Sequence, residues 1–252
     1  LYVDEYRYRR GERGAFEKKN VVIMHYPIRI NAYLRHKGLA SRREVDKLIL
    51  AGHVFVNGVR ATPGIRIQEG DDVVVRGEEK RTLAYLAYYK PRGLATQGAK
   101  GAPSVIETWR AKGIFPVGRL DKESEGLLIL TNDGRVTTSI LDKERGVEKE
   151  YCVEVREPLR SGVPAIFKKG MDTKTFGKLL PADAELVDAH TLTVILREGK
   201  HHQVRVMLGE LGYTVTRLTR VRVGKIVLGK LKPGATRALG KTEINFLLSV
   251  DK

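Results

Sequence analysis

The 252-residue sequence predicts an α+β fold with a small amino-terminal module followed by a larger second domain. In the first part, apolar residues repeat at helical spacing and are followed by Asn57-Gly58, a strong β-hairpin signal. Beyond residue 82 the pattern changes to short apolar runs bounded by turn residues, which indicate strands. This change of pattern along one chain is typical of an α+β arrangement.

Composition and pattern divide the chain into four segments. Residues 1–27 mix Tyr with Arg and Lys without a regular period and form a basic arm. A floppy terminus of no consequence explains that segment equally well. Residues 28–76 form the small module, the polar run 77–82 is typical of a linker, and residues 83–252 form the second domain.

Each element of the small module has a local signal. Apolar spacing predicts two helices, of which the second begins with a capping box in which Ser41 is the N-cap and Glu44 reaches back. The predicted order is a helix with Ile30, Tyr33 and Leu34 that ends at Gly38, a helix with Val45, Leu48 and Ile49 that ends at Gly52, the Asn57-Gly58 hairpin and a strand over 72–75.

The second domain starts with a predicted strand over 82–89 that a Lys90-Pro91-Arg92-Gly93 turn ends. A buried strand is predicted over 127–130, closed by Asn132-Asp133-Gly134 through residues that tolerate positive φ. A further strand covers 151–155, and a glycine-ended strand near 198 leads into a helix with Val204, Met207, Leu208 and Leu211 on one face.

The chain is strongly basic, with 46 Lys and Arg against 30 Asp and Glu, a net charge of +16 and a pI near 9.9. Such a charge indicates a polyanionic partner. A membrane surface would attract it too, but no apolar run approaches the roughly 18 residues of a membrane span. The single Cys152 excludes an intrachain disulfide and fits a reducing compartment. Cytoplasm is therefore the expected location, with an organelle left open.

Asp121 lies on a predicted loop directly before the buried strand over 127–130. A carboxylate on a loop beside a rigid strand is well placed for chemistry. An Asx-turn or a helix N-cap is the commoner role of an isolated Asp, so the residues alone favour a structural role for Asp121.

The segment from Gly118 to Gly134 resembles the active-site motif of the RsuA/RluB/RluE/RluF family of ribosomal RNA pseudouridine synthases, G-R-L-D-x-x-[ST]-x-G-L-L-x-L-T-[ND]-[DHN]-G. Asp121 falls on the family's catalytic aspartate. The small module resembles an alpha-L RNA-binding module of ribosomal-protein type through the sequence S-R-R-E-V-D-K-L-I-L-A-G-H-V-F-V-N-G. The resemblance implies a second domain built on a mixed, mainly antiparallel sheet with flanking helices.

Other segments match the family in order. Residues 90–93 resemble its K-P-x-G turn, residues 149–153 its K-x-Y-x-V element and residues 198–207 its E-G-x-x-x-Q-[IV]-[RK]-R-M element. Residues 218–224 and 231–239 resemble its closing motifs L-x-R-x-x-[IV]-G and L-x-x-G-x-x-R-x-L. The chain departs from these patterns at Val206, at Thr236 and at His201-His202, which replace a basic residue, a tryptophan and a common Asn-Arg pair.

The resemblance implies three catalytic residues. Asp121 reacts, Tyr151 packs against the target base, and Arg205 pairs with Asp121 and keeps the carboxylate ionised. The supporting residues are Lys90, Pro91, Gly93, Gly118, Arg119, Leu120 and Gln203. The expected RNA contacts come from Arg35, Lys37, Ser41, Arg42, Arg43, Lys47, Lys200 and His202.

No cofactor or metal is expected, because the sequence has no nucleotide-binding glycine pattern, P-loop or zinc motif. The adjacent His201 and His202 are not predicted to bind a metal, since neighbouring side chains on a strand point to opposite faces. The expected function is isomerisation of one uridine in ribosomal RNA to pseudouridine. Large-subunit ribosomal RNA is the expected substrate, because the motifs resemble those of RluF and RluB. The expected partner is ribosomal RNA or a ribosomal assembly intermediate. The enzyme is expected to be monomeric and to make no membrane contact.

Three alternatives remain open at this point. In the first alternative, the substrate is small-subunit ribosomal RNA. In the second, the protein is a non-catalytic ribosome-binding or assembly factor on the same scaffold. A glycosidase-like acid pair of Asp121 with Glu123 or Glu125 is disfavoured, because the net charge of +16 does not suit a neutral sugar.

Overall fold

The computed structural model of the protein describes residues 25–37, 42–76, 82–99, 101–142 and 144–248, without the side chains of residues 35, 36 and 42–44. The described residues divide into two units, 25–83 with 133–138 and 248, and 84–132 with 139–247. The basic arm up to residue 24, Gly38, the Ser41 cap and linker residues 77–81 lie outside the described residues. The four-segment division stays a prediction.

The first unit contains two helices and five short strands. They are β1 (Ile28–Arg29), α1 (Ile30–His36), α2 (Arg42–Leu50), β2 (Val54–Val56), β3 (Val59–Arg60), β4 (Arg66–Ile67) and β5 (Val73–Val75). β3, β2 and β5 form an antiparallel sheet in that order, and β1 pairs with β4. The predicted strand over 72–75 therefore begins one residue later than expected.

The core of the first unit confirms the predicted helical spacing. Ile30, Leu34 and Val45 are fully buried, and Ile49 is nearly so, in one cluster with the apolar residues of the strands. The hairpin is also confirmed, because Asn57 and Gly58 have φ angles of 51° and 80°, as a type I′ turn requires.

The second unit is built on a nine-stranded sheet. Its elements continue as β6 (Tyr85–Lys90), α3 (Val105–Arg110), β7 (Phe115–Val117), β8 (Glu125–Thr131), α4 (Gly134–Leu141), which spans the division, β9 (Lys149–Val155), α5 (Val163–Lys169), β10 (Asp172–Thr173), β11 (Gly177–Lys178), β12 (Asp183–Leu186), β13 (Thr191–Leu196), α6 (Gln203–Glu210), β14 (Val215–Val223), β15 (Ile226–Val227), β16 (Thr236–Ala238) and α7 (Lys241–Leu248). No helix among the described residues is both long and apolar enough to cross a membrane.

The strand order is β12-β13-β9-β14-β8-β6-β16, with β15 paired to β14 and β7 paired to β8. Within the described residues, β14 and β8 form the one parallel pair, and all other pairs are antiparallel. The mixed, mainly antiparallel sheet that the family resemblance implied is therefore confirmed.

β8 is the central buried strand, with all seven of its residues buried. The predicted apolar run over 127–130 is thus correct but two residues too short at its start. β6 begins at Tyr85 rather than at residue 82, because the residues before it are not paired in the sheet.

The Asn132-Asp133-Gly134 segment differs from the sequence prediction. None of the three residues has a positive φ angle. Instead Asp133 accepts a hydrogen bond from the backbone N–H of Arg135 at 3.0 Å, and α4 begins at Gly134. A side-chain oxygen that satisfies an N–H group of the first turn starts a helix, so this segment is a helix start rather than a tight turn.

Gly126 marks a close backbone approach in the sheet. It lies opposite Arg220 in the parallel β8–β14 pair, and its φ angle is +103°. A Cβ atom at this position would lie 2.4 Å from the carbonyl oxygen and 2.8 Å from the nitrogen of Arg220. Only glycine therefore allows the two strands to pair here without a backbone shift.

Substitution of Gly126 by Ala is expected to lower the free energy of unfolding by at least about 2 kcal/mol, because the strained φ angle and the backbone clash both act. Gly209 in α6 is the matched control, since a Cβ there meets no atom within 4 Å and its φ angle is negative. Gly209→Ala should stabilise the protein by about 0.5–1 kcal/mol. Urea unfolding of both variants measures this, and equal effects at the two sites would contradict the clash.

Candidate active site

Asp121 lies on a loop whose backbone is held from both sides. The buried Thr96 hydroxyl accepts a hydrogen bond from the backbone N–H of Leu120 at 3.0 Å and donates one to the Leu120 carbonyl at 2.6 Å. On the other side, the Ser124 N–H donates to the Asp121 carbonyl at 3.1 Å. The Asp121 side chain is 26% exposed, so its carboxylate is reachable but shielded.

The predicted Lys90-Pro91-Arg92-Gly93 turn is present and is attached to this loop. Gly93 has a φ angle of +82°, and its N–H donates to the Lys122 carbonyl at 2.8 Å. The Arg92 guanidinium bridges the Glu123 carboxylate at 3.3 Å and the Thr216 carbonyl at 3.0 Å. The turn therefore fixes the aspartate loop against the start of β14.

Lys90 is a fully buried lysine at the end of β6. Its ammonium donates hydrogen bonds to the carbonyls of Pro91 at 3.0 Å and Leu94 at 2.6 Å. Burial lowers the pKa of Lys90 to about 8, and the negative charges of Asp121, Glu123 and Glu125 oppose that shift. The site thus contains a buried cation within electrostatic reach of Asp121.

Arg205 does not form the predicted ion pair with Asp121. Its guanidinium donates to the carbonyl of Glu123 at 3.0 Å and to that of Val215 at 3.2 Å, and its buried Nε has no partner. Burial lowers the pKa of Arg205, while the charge of Asp121 opposes the shift. Among the described residues, no Lys or Arg nitrogen lies within 4.0 Å of the Asp121 carboxylate. Arg205 ties the aspartate loop to β14 because backbone carbonyls occupy its donors.

Tyr151 and Arg220 are directly opposite each other in the antiparallel β9–β14 pair, so their side chains share a face of the sheet. Tyr151 is partly buried and packs against both apolar clusters of the second unit. Arg220 is almost fully buried and donates to the Leu127 carbonyl at 2.8 Å and to the Arg119 carbonyl at 3.5 Å. It therefore connects the central strand to the segment that leads into Asp121.

Glu125 brings a second carboxylate, which is buried, close to the site. It forms a short ion pair with Arg217 and accepts a hydrogen bond from the Thr219 hydroxyl at 3.2 Å. The hydrogen bond and the charge of Glu125 raise the pKa of Arg217, and both contacts engage the Glu125 carboxylate. Glu125 thus serves the structure of the β8–β14 pair, which argues against its use as one half of a glycosidase acid pair.

His201 and His202 lie together at Asp121, contrary to the sequence prediction. They form a turn before α6, not a strand, and their rings stack with centroids 3.9 Å apart. The His202 Nε2 lies 3.4 Å and the His201 Nε2 3.8 Å from Oδ1 of Asp121. The expectation that the two side chains point to opposite faces is wrong, because His202 adopts a left-handed conformation with φ 58°.

Gln203 supports the turn that carries the two histidines. The buried Gln203 side chain donates to the Glu198 carboxylate at 2.8 Å and accepts from the Lys200 N–H at 2.9 Å. The Lys200 ammonium lies 5.4 Å from the centre of the Phe176 ring. This network fixes the backbone of residues 198–203.

The remaining predicted site residues have clear locations. Pro91 follows β6, Gly118 has a φ angle of +75°, and Arg119 is exposed. In the first unit Lys37 and Lys47 are exposed, as phosphate contacts need to be. Ser41 and the side chains of Arg35, Arg42 and Arg43 lie outside the part of the chain that the structure describes.

Sequence reasoning missed several residues of the site: Thr96, Glu125, His201, Arg217 and Arg220. A signal existed for Arg220, which is the arginine of the L-x-R-x-x-[IV]-G segment and occupies a central strand where a charged residue needs a specific partner. No local signal marks Thr96, because its partner is 24 residues away along the chain.

Two protein-family models match this chain. Residues 84–210 match the model described as RNA pseudouridylate synthase, and residues 28–73 match the S4 domain. A curated relative from Aquifex aeolicus, an uncharacterized RNA pseudouridine synthase, is 35% identical over 231 residues, covering 86% of this chain and 92% of the relative.

The dual-specificity RNA pseudouridine synthase RluF of Escherichia coli is 34% identical over 229 residues, which cover 86% of this chain and 77% of RluF. A solved structure of a pseudouridylate synthase superimposes with a TM-score of 0.65 at 26% identity, covering 87% of this chain and 99% of that one. The chain therefore belongs to the RNA pseudouridine synthases and carries an S4 domain before the catalytic domain.

Lys90 is expected to make stability depend on pH. Its pKa is about 8 in the folded protein and near 10.5 in the unfolded chain, so the unfolded chain holds more protons between these values. Stability therefore rises with pH in this window. The unfolding free energy of wild type minus that of Lys90→Met should increase by about 1–2 kcal/mol from pH 7.5 to 9.5. Urea unfolding at both pH values measures it, and a constant difference would show that the ammonium contacts water.

Proposed function

We propose that this enzyme isomerises one uridine of ribosomal RNA to pseudouridine, with Asp121 as the reacting carboxylate. The observation that carries the proposal is the placement of Asp121, whose backbone is clamped by Thr96 while its carboxylate stays 26% exposed. Lys90 and Arg205 lie within electrostatic reach but bind backbone carbonyls. The carboxylate is therefore surrounded by positive charge without being locked in an ion pair to a lysine or arginine.

The reaction itself is a rearrangement within one nucleotide. The N1–C1′ bond breaks, the uracil turns, its C5 joins C1′, the C5 proton is lost, and N1 takes up a proton. Atoms and electrons balance without an oxidant, a reductant or a group donor. A protein that holds the sugar and the free base in place while the base turns supplies what the chemistry requires.

Asp121 has two routes to this outcome. It attacks C1′ and holds the sugar covalently, or it removes a C2′ proton and leaves a glycal. Both routes use the ionised carboxylate, and both need its oxygens free to approach the sugar. The geometry suits either route, because the positive groups near Asp121 stabilise negative charge on its carboxylate without binding the carboxylate oxygens.

Tyr151 is proposed to pack against the uracil of the flipped nucleotide. A base must leave its stack before Asp121 reaches the sugar, which costs a few kcal/mol. An aromatic ring on the face of the sheet that also carries Arg220 offers such a base a stacking surface. Arg205 and Arg220 are proposed as positioning residues, since their hydrogen bonds go to backbone carbonyls at both ends of the aspartate loop.

The proposed substrate is a uridine in a hairpin loop of large-subunit ribosomal RNA. Support comes from the likeness of the segments around Asp121 and Tyr151 to RluF-like sequences and from the 34% identity to RluF. Loop bases are already partly unstacked and flip at low cost. The enzyme is proposed to act in the cytoplasm as a monomer. Small-subunit ribosomal RNA remains the alternative substrate.

A non-catalytic ribosome-binding factor is the competing function. Such a protein needs the basic S4 domain but does not need a partly exposed carboxylate on a fixed loop within electrostatic reach of Lys90 and Arg205. The two functions differ in whether the formation of pseudouridine in the RNA requires Asp121.

Asp121→Asn is expected to abolish pseudouridine formation, because an amide neither attacks C1′ nor removes a C2′ proton. RNA affinity and thermal stability should stay close to wild type. Carbodiimide treatment and primer extension on incubated ribosomal RNA measure the product. The control is Asp172→Asn, which removes an exposed carboxylate of the same unit and should keep full activity. Turnover above about one per cent of wild type in Asp121→Asn would remove Asp121 from this role.

Replacement of Arg42, Arg43 and Lys47 by Met is expected to weaken RNA binding and flatten its dependence on salt. Each lost phosphate contact lowers the log–log slope by about 0.7–0.9, so the triple variant should lose about 2–3. Titrations at several salt concentrations measure the slope, and the rate at saturating RNA should be unchanged. An unchanged slope would mean that α2 does not contact phosphates.

A further inference from the structure

Asp121, His201 and His202 bring three potential metal ligands together. One atom from each residue lies within 4.8 Å of the others. The two histidine Nε2 atoms are 3.4 Å and 3.8 Å from the same carboxylate oxygen of Asp121. Two imidazoles and a carboxylate form a donor set that zinc and similar divalent metals prefer.

The distances are close to those of a tetrahedral centre. Zinc–ligand bonds of about 2.0–2.1 Å place neighbouring ligand atoms about 3.3 Å apart. The His202 contact at 3.4 Å already meets this value, and the His201 contact at 3.8 Å needs a shift of only a few tenths of an ångström. His201 is 71% exposed on its side chain, so its ring is free to make that shift.

The local backbone presents the two rings before any metal arrives. His202 holds the left-handed conformation at φ 58°, which stacks its ring on His201 at 3.9 Å. Gln203 braces this turn through Glu198 and the Lys200 N–H. The backbone therefore needs little ordering on binding, whereas the two rings, whose planes lie 23° apart, must unstack so that both Nε2 lone pairs point at one ion.

We propose that Asp121, His201 and His202 bind one zinc-type divalent transition metal and that the bound metal inhibits the enzyme. Three protein ligands leave a fourth position for water, as in open zinc sites. The site is a property of this chain, because His201-His202 replaces the Asn-Arg pair that is common at this point in the family motif.

The surrounding charges set the affinity and the choice of metal. Lys90 and Arg205 interact electrostatically with Asp121 and oppose the binding of a dication. Micromolar rather than nanomolar affinity is therefore expected. Mg²⁺ and Ca²⁺ need several oxygen ligands and gain little from imidazoles, whereas Zn²⁺, Ni²⁺ and Co²⁺ bind them well.

The inhibition rests on the proposed role of Asp121, whereas the metal binding does not. A metal that holds Oδ1 of Asp121 withdraws the carboxylate from C1′ and from the C2′ proton alike. Removal of the metal by a chelator restores the free carboxylate, so the inhibition is reversible.

The first experiment measures binding alone. Untagged protein is titrated with Zn²⁺ by calorimetry and with Co²⁺ by visible absorption, with Mg²⁺ as competitor. Wild type should bind one equivalent that Mg²⁺ does not displace. His201→Asn and His202→Asn should each raise Kd at least about tenfold. His190→Asn, which removes an exposed histidine between β12 and β13, is the control and should leave Kd unchanged. Absence of binding, or equal Kd in all variants, would overturn the metal site.

The second experiment measures pseudouridine formation against Zn²⁺ concentration. Wild type and His190→Asn should lose activity with a midpoint near the measured Kd and regain it with EDTA, and the midpoint for His202→Asn should shift with its Kd. If Zn²⁺ binds at this site without lowering activity, Asp121 is not the reacting group and the inhibition is overturned. If Asp121→Asn is inactive and Zn²⁺ does not bind wild type, the metal proposal fails while the proposed function stands.

Discussion

The close pairing of β8 with β14 at Gly126 is the constraint on which the site depends. The absence of a side chain at Gly126 lets the Arg220 backbone approach the central strand. Arg220 then reaches the carbonyls of Leu127 and Arg119 with its own guanidinium. One pair of strands therefore sets both the sheet order and the starting point of the loop that carries Asp121.

Three cationic groups of the candidate site share one feature. Lys90, Arg205 and Arg220 direct their hydrogen bonds to backbone carbonyls, so each of them stabilises a loop or strand as well as adding positive charge. Burial costs these groups solvation, and the carbonyls recover part of that cost. The Asp121 carboxylate gains a positive environment while no Lys or Arg among the described residues binds its oxygens. A direct ion pair would have occupied those oxygens.

The sequence predicted the elements well where a local signal controls them. The buried strand β8, the hairpin at Asn57 and the apolar face of α6 follow from spacing and turn chemistry, and all three are confirmed. The placement of Asp121 on a loop before β8 was also predictable.

The contacts of the site were not predictable, because they join segments far apart in the chain. The Arg205 guanidinium meets the Glu123 carbonyl 82 residues away, and Arg220 meets Leu127 across 93 residues. The histidine pair was misjudged for a different reason, since strand geometry was applied to residues that form a turn. Motif position thus predicted where the candidate site lies, while its hydrogen-bond partners required the fold.

The left-handed conformation of His202 also limits which residues this position accepts. A φ angle of 58° is costly for β-branched side chains and is tolerated best by Gly, Asn, Asp and His. Three of these four residues carry an oxygen or nitrogen that is able to bind a proton, a phosphate or a metal. The shape of this turn therefore disfavours β-branched residues beside Asp121 and favours a set of residues that is rich in polar groups. Exchange of His202 for another of these residues would thus change what the side chain binds without any change in the backbone.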